Sequence, residues 1–115
     1  MDLSELAQKL RDFAQERDWE QFHSPKNLSM ALSVEVSELV EHFQWLTEEQ
    51  SSGLEVEVLA DVAEEIADIQ IYLTRLADRL GVDIEDAVMK KLAVNASKYP
   101  VAKAHGNALK STKFK

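Results

Sequence analysis

Two pairs of carboxylates stand three residues apart in this chain, Glu35 with Glu38 and Glu65 with Asp68. On a helix that spacing puts both members of a pair on one face. Four converging carboxylates cannot all stay ionised unless a cation compensates them. The usual partners are missing: the stretch between Lys26 and Arg75 holds eleven acids and no Lys or Arg. With no cysteine in the chain and no histidine inside either pair, the donors are all oxygen, which suits a hard ion, Mg²⁺ or Mn²⁺, rather than Zn²⁺. Di-iron bundles use Glu-x-x-His, whereas the residue three after Glu38 is Glu41. Glu-x-x-Glu also occurs on ordinary solvated helix faces, so the spacing alone does not make a site. What sets these pairs apart is the apolar stripe that each one interrupts.

The elements that must position them are helices. Three glycines, two prolines and long 3.6-residue periodicity predict an all-α chain of four helices with short loops, a four-helix bundle-like domain. Asp2 with Glu5 predicts a capping box for a first helix to about Asp18, with Leu3, Leu6, Ala7, Leu10, Phe13 and Ala14 as its stripe. Residues 19–26 read as a loop broken by Pro25, after which Asn27 or Ser29 caps a second helix to about Leu46. A polar connection, Thr47–Gly53, leads to a long third helix over about 54–80, with Gly81 just past its end. Asp83 caps a fourth helix to about Lys98, and Pro100 stops it. In the second helix Leu28, Leu32, Leu39, Phe43 and Leu46 form the stripe; Glu35 falls inside it and Glu38 on its edge. In the third, Glu65 falls among Val58, Val62, Ile69, Leu73 and Leu76, with Asp61, Asp68 and Tyr72 along one flank.

At 115 residues and 45% hydrophobic the chain has enough material for one domain with a core. The absence of cysteine excludes a disulfide scaffold. No apolar run approaches the roughly 18 residues of a membrane span, and the acidic amphipathic start, MDLSELAQKLRDF, is unlike a targeting peptide; a cytoplasmic protein is expected. The net charge is −8, but residues 100–115 carry Lys103, Lys110, Lys113 and Lys115 and no acid, so the first 99 residues have a net of −12. Such a surface repels nucleic acid. The expected organisation is a domain over 1–99 and a basic tail over 100–115. Apolar residues surround much of the third helix (Ile66, Ile69, Ile71, Leu73, Leu76), which predicts a homo-oligomer, a homodimer or homotetramer.

Beyond the acid quartet, four blocks of text carry a resemblance: ERDWEQFHSPKNL (16–28), EVSELVEHFQW (35–45), EEIADIQIYL (64–73) and NASKYP (95–100). Together they resemble the MazG-like all-α nucleoside triphosphate pyrophosphohydrolases, in particular the dCTP pyrophosphatase-like branch, over about residues 3–106. The resemblance implies hydrolysis of a nucleoside triphosphate to the monophosphate and pyrophosphate, with Mg²⁺ held by Glu35, Glu38, Glu65 and Asp68 and Mn²⁺ as a substitute. It implies dCTP or modified pyrimidine deoxynucleotides as substrates, in the sanitation of nucleotide pools. Glu38 is the carboxylate favoured to take the proton of the attacking water, with Glu35 beside it.

Trp19 and Trp45 match positions that flank the base in the family, and His23 lies in the same loop as Trp19. Trp45 follows Glu35 by ten residues, so a continuous helix would put both on a similar face. Tyr72 follows Asp68 by four and is placed to bind sugar or phosphate. Lys91, Asn95 and Lys98 form a line at i, i+4, i+7 beside Tyr99, able to clamp a triphosphate. Each of these has an ordinary alternative: the tryptophans and tyrosine as core, the loop histidine as a capping or exposed residue, the lysines as a solvated face. Leu10 stands where the animal members of the branch place a histidine, and the loop Thr47–Gly53 is shorter than theirs; both departures imply a relaxed or different pyrimidine preference. Two other readings stay open, a broad-specificity house-cleaning hydrolase and a non-catalytic helical module that binds nucleotide or metal.

Overall fold

Asp2 opens the first helix with its side chain: Oδ1 accepts from the backbone N–H groups of Ser4 at 2.8 Å and Glu5 at 3.2 Å, satisfying two of the donors that a helix start leaves free. In the computed structural model, which describes residues 1–115, this helix is α1, Leu3–Glu16. It gives way to a turn in which Asp18 takes a positive φ of 53°. Helix α2 spans Pro25–Glu41 and begins earlier than its spacing predicts. Ser24 is its cap, the hydroxyl accepting from Asn27 N–H at 3.1 Å. Pro25 is not a breaker. It starts the helix, where its missing N–H costs nothing and its fixed φ is already helical.

The far end of α2 also differs. The helix stops at Glu41, and residues 42–46 continue as turns closed by Phe43 N–H to Val40 C=O and Leu46 N–H to Phe43 C=O, both at 2.9 Å. Thr47 then caps a single turn, α3 (Glu48–Ser51), through a reciprocal capping box with Gln50. Helix α4 spans Val56–Leu80 and ends on Gly81 with φ 70°, a left-handed conformation that glycine adopts without the Cβ penalty.

Residues 1–82 form one compact unit. Helix α4 is its spine, with α2 packed along it and α1 against it. The buried apolar residues come from all three helices: Ala14 from α1, Leu28 from α2, Val62 and Ala77 from α4. Burying a side chain the size of Leu28 contributes about 2 kcal/mol. Two polar residues of α4 are buried with them, Thr74 and Arg75; Thr74 accepts a hydrogen bond from Gln70 at 2.8 Å. Much apolar surface stays uncovered, including Val34, Val36 and Val40 on α2 and Leu59, Ile66, Ile71 and Leu73 on α4.

Residues 83–115 form a second unit. Asp83 caps α5 (Ile84–Lys98) by accepting from Asp86 N–H at 3.0 Å. Pro100 follows and opens a one-turn helix, α6 (Val101–Ala104). The tail shows no periodicity in its sequence, yet it carries a short 3-10 turn at Ser111–Lys113 and returns Phe114 edge-on to Tyr99, ring centroids 5.6 Å apart. Every regular element of the chain is a helix, and none is long and apolar enough to cross a membrane.

Candidate metal centre

Because α2 and α4 pack side by side, acids that interrupt the stripe of one helix meet acids that interrupt the stripe of the other. Glu35 and Glu38 from α2 and Glu65 from α4 offer carboxylate oxygens that all lie within 4.8 Å of one another. Oε2 of Glu35 and Oε2 of Glu65 are buried with no hydrogen-bond partner. A desolvated carboxylate oxygen without a partner is costly, so the ionised form must be compensated or lost. Burial raises the Glu35 carboxyl to about 7, with the neighbouring charge of Glu38 as the next cause. Burial, and then Glu38, raises Glu65 as well. These are the conditions under which protons or a hard cation occupy an acidic cluster, and an all-oxygen donor set suits magnesium or manganese.

Asp68 is not one of the three converging acids; it is exposed, one turn past Glu65. Its charge nevertheless reaches Glu35 and contributes to raising it. His42 stands at the margin, Nε2 3.8 Å from Oε1 of Glu65, and lowers the Glu65 carboxyl against the effect of burial. Its signal was present in the sequence, since it follows Glu35 by seven residues and so shares its face.

The residues expected around a substrate fall into separate groups. Trp19 and His23 come together in the loop between α1 and α2, ring centroids 5.9 Å apart. Phe13 extends the row, edge-on to Trp19 at 5.7 Å, and the guanidinium of Arg17 lies 3.5 Å over the Phe13 ring. Phe13 reads in the sequence as one more stripe residue, and only the turn after α1 brings Trp19 back to it. Trp45 is 87% exposed. The helical arithmetic that aligned it with Glu35 ends at Glu41, so Trp45 belongs to the turn and not to the helix face. Tyr72 is half-buried on α4, one turn past Asp68. Lys91, Asn95 and Lys98 lie exposed along α5 in the second unit, where Tyr99 ends the helix and meets Phe114.

Sequence reasoning missed an ionic cluster at the other end of α4. Arg75, buried, donates to Glu20, to Asp78 at 3.5 Å and to Nδ1 of His23 at 3.4 Å. Arg79 donates to Glu20 at 2.8 Å, and Arg11 holds Asp78 with two bonds of 2.8 and 3.0 Å. The one available signal was position: Arg75 is the first cation after the long anionic stretch.

The MazG-like family profile matches residues 30–114. The chain is 44% identical over 112 residues to dCTP pyrophosphatase 1 of Mus musculus, covering 96% of this chain and 66% of the mouse protein. It is 42% identical over 114 residues to dCTP pyrophosphatase 1 of Homo sapiens, covering 97% and 67%. It thus spans about two thirds of the length of these curated relatives. Among solved structures it is similar to a pyrophosphatase from Archaeoglobus fulgidus, with a TM-score of 0.75 and 42% identity over 84% of this chain and 91% of that one. By the share of its sequence that the family profile covers, and by its likeness to these relatives along nearly its whole length, the chain belongs to the MazG-like family.

Proposed function

We propose that this protein hydrolyses nucleoside triphosphates to the monophosphate and pyrophosphate in a magnesium-dependent reaction, with dCTP or modified pyrimidine deoxynucleotides as substrates. The observation that carries the reading is the pair of buried, unpartnered oxygens on Glu35 and Glu65, inside a cluster with no Lys or Arg among its partners. Its relatives named for dCTP pyrophosphatase activity support the substrate class.

Glu35, Glu38, Glu65 and Asp68 would hold the metal, with Mn²⁺ as a substitute. The bound cation would neutralise phosphate oxygens and lower the pKa of a water molecule. Glu38 takes the proton of the attacking water, with Glu35 beside it. Trp19 and Trp45 flank the base with His23 in the same loop as Trp19, Tyr72 bonds to sugar or phosphate, and Lys91, Asn95, Lys98 and Tyr99 clamp the phosphates. Residues 1–99 form the catalytic domain, as a four-helix bundle, and residues 100–115 its basic tail. The uncovered apolar residues of α2 and α4 support assembly as a homodimer or homotetramer, since a second copy would remove them from water. A small nucleotide as the partner, a cytoplasmic location and no nucleic-acid binding complete the reading.

A broader substrate range is favoured by one feature: Leu10 is half-buried on α1 and offers no hydrogen-bonding group. A panel of canonical and 5-modified nucleoside triphosphates with Mg²⁺, analysed for products, tests both readings. Release of pyrophosphate, fastest with dCTP or a modified dCTP, is expected. Release of orthophosphate, or no cleavage with any divalent ion, overturns the proposal in favour of a binding module.

A further inference from the structure

Arg75 is 2% exposed and lies seven residues past Asp68, two turns along the same line of α4. Glu20 and Asp78 already neutralise it, and each is itself held by a second arginine, Arg79 and Arg11 respectively. The shallow polar depression of about 400 Å³ around them is lined by Arg11, Gln15, Glu20, Arg75, Asp78 and Arg79. All three of its arginines are bonded to those two carboxylates, so the depression reads as a lock between elements and not as an anion site.

One of Arg75's bonds serves no charge balance. Its Nε donates to Nδ1 of His23 at 3.4 Å. A guanidinium keeps its protons at any working pH and has no lone pair to offer, so the nitrogen it reaches must be an acceptor. The single proton of the neutral imidazole is then on Nε2. Burial, followed by the charge of Arg75, holds the His23 ring below the usual histidine range; Glu20 opposes this and Arg79 adds to it. The same ring lies against Trp19.

From this geometry we propose that Arg75 is a positioning residue for base recognition: by bonding Nδ1 of His23 it holds the imidazole in the Nε2–H tautomer and in one orientation beside Trp19. The loop thereby offers a nucleobase a fixed N–H donor next to a stacking surface. This rests on the reading of Trp19 and His23 as base-facing. A fixed donor suits a base with an acceptor at that point, as cytosine has at its unprotonated ring nitrogen. It opposes uracil or thymine, whose corresponding nitrogen carries a proton. An imidazole released from Arg75 can exchange tautomers and accept as readily as it donates, and discrimination is lost.

The test has a spectroscopic and a kinetic arm. Side-chain ¹⁵N spectra of the full chain are expected to show His23 as the Nε2–H tautomer, and a tautomer mixture in Arg75→Gln. With Mg²⁺, Arg75→Gln is expected to raise KM for dCTP by about tenfold, the worth of one hydrogen bond, to narrow the preference for dCTP over dTTP by a similar factor, and to leave kcat nearly unchanged. In a His23→Ala background the same substitution should add no further change in KM. Arg79→Gln, which loosens Glu20 but spares the bond to His23, should keep the wild-type base preference. A wild-type His23 protonated on Nδ1 overturns the positioning role, and that measurement needs no variant to fold. So does a KM rise that persists in the His23→Ala background, or an equal loss of preference in Arg79→Gln. Failure of the wild type to cleave any triphosphate overturns the functional reading instead, so the two failures are told apart.

Discussion

Glu65 and Arg75 sit ten residues apart on α4, and both side chains are largely withdrawn from water, to 17% and 3% exposure. Around Arg75 two acids and three arginines satisfy one another. Around Glu65 the neighbours are two more glutamates and the imidazole of His42, and buried oxygens have no partner. The first arrangement is complete as it stands. The second destabilises the bundle until protons or a cation complete it. Buried polar groups in native proteins are nearly always bonded, so the unbonded oxygens of Glu35 and Glu65, on a bundle whose other buried charge is fully bonded, point to where the ligand goes.

The sharpest way to break this contrast is to remove charge from the incomplete end. Glu38→Gln should lower turnover by about a thousandfold while the helical fold persists, because the remaining acids repel less. Pyrophosphate release and a circular-dichroism melt without metal check both halves; an unfolded variant would make Glu38 a structural residue. Asp68→Asn should likewise abolish most turnover and spare the fold.

At the complete end the expected effect is on stability. Asp78→Asn leaves Arg11 and the buried Arg75 short of an anion, and should cost about 2 kcal/mol, or about 10 °C in the melting temperature. Turnover at saturating substrate should change little. If the melting temperature does not move, the cluster is not a lock between elements.

The two ends should also respond oppositely to pH. Glu35 is raised from its ordinary 4.5 to about 7, so the folded chain holds a proton there that the unfolded chain has released. Its contribution to stability is present below about pH 4.5 and lost as pH rises through about 7. Asp78 is held below its ordinary 3.8, by its bond to Arg11 first; its contribution is present above that value and lost in acid. Melts in a chelator should therefore decline between about pH 4.5 and pH 7. Added Mg²⁺ should flatten the decline, contributing about 2.7 kcal/mol at a hundredfold excess over Kd. A decline unchanged by Mg²⁺ would mean that the cluster takes only protons.

The smallest effect is expected at the margin. His42→Ala removes the one group besides Glu35 that lowers Glu65. The pH at which Mg²⁺ begins to stabilise should move upward, and the magnesium needed for half of that stabilisation should rise by about threefold.

Several features of the fold are local and were legible. Asp2, Asp83 and Gly81 end their helices as their residue types predict, because a cap depends on a side chain and the few backbone groups beside it. The ends of α2 were misread for an equally local reason. Pro25 serves as a first helical residue as well as a breaker, and Phe43 and Leu46 continue an apolar period that the backbone abandons after Glu41. An apolar period records which residues prefer burial, not whether the chain between them stays helical, and Trp45 left the helix face with that last turn.

The sequence by itself determined that two helices carry acids on their apolar stripes, with no cation within reach along the chain, since stripe and spacing follow from 3.6 residues per turn. Which acids meet was decided only by α2 lying along α4, which brings Glu38 and Glu65 together and leaves Asp68 exposed. Arg75 meets Glu20 and His23 across 55 and 52 residues of chain. No periodicity encodes contacts of that range; they exist because packing brings distant backbone together and a buried charge must find whatever partner the fold supplies.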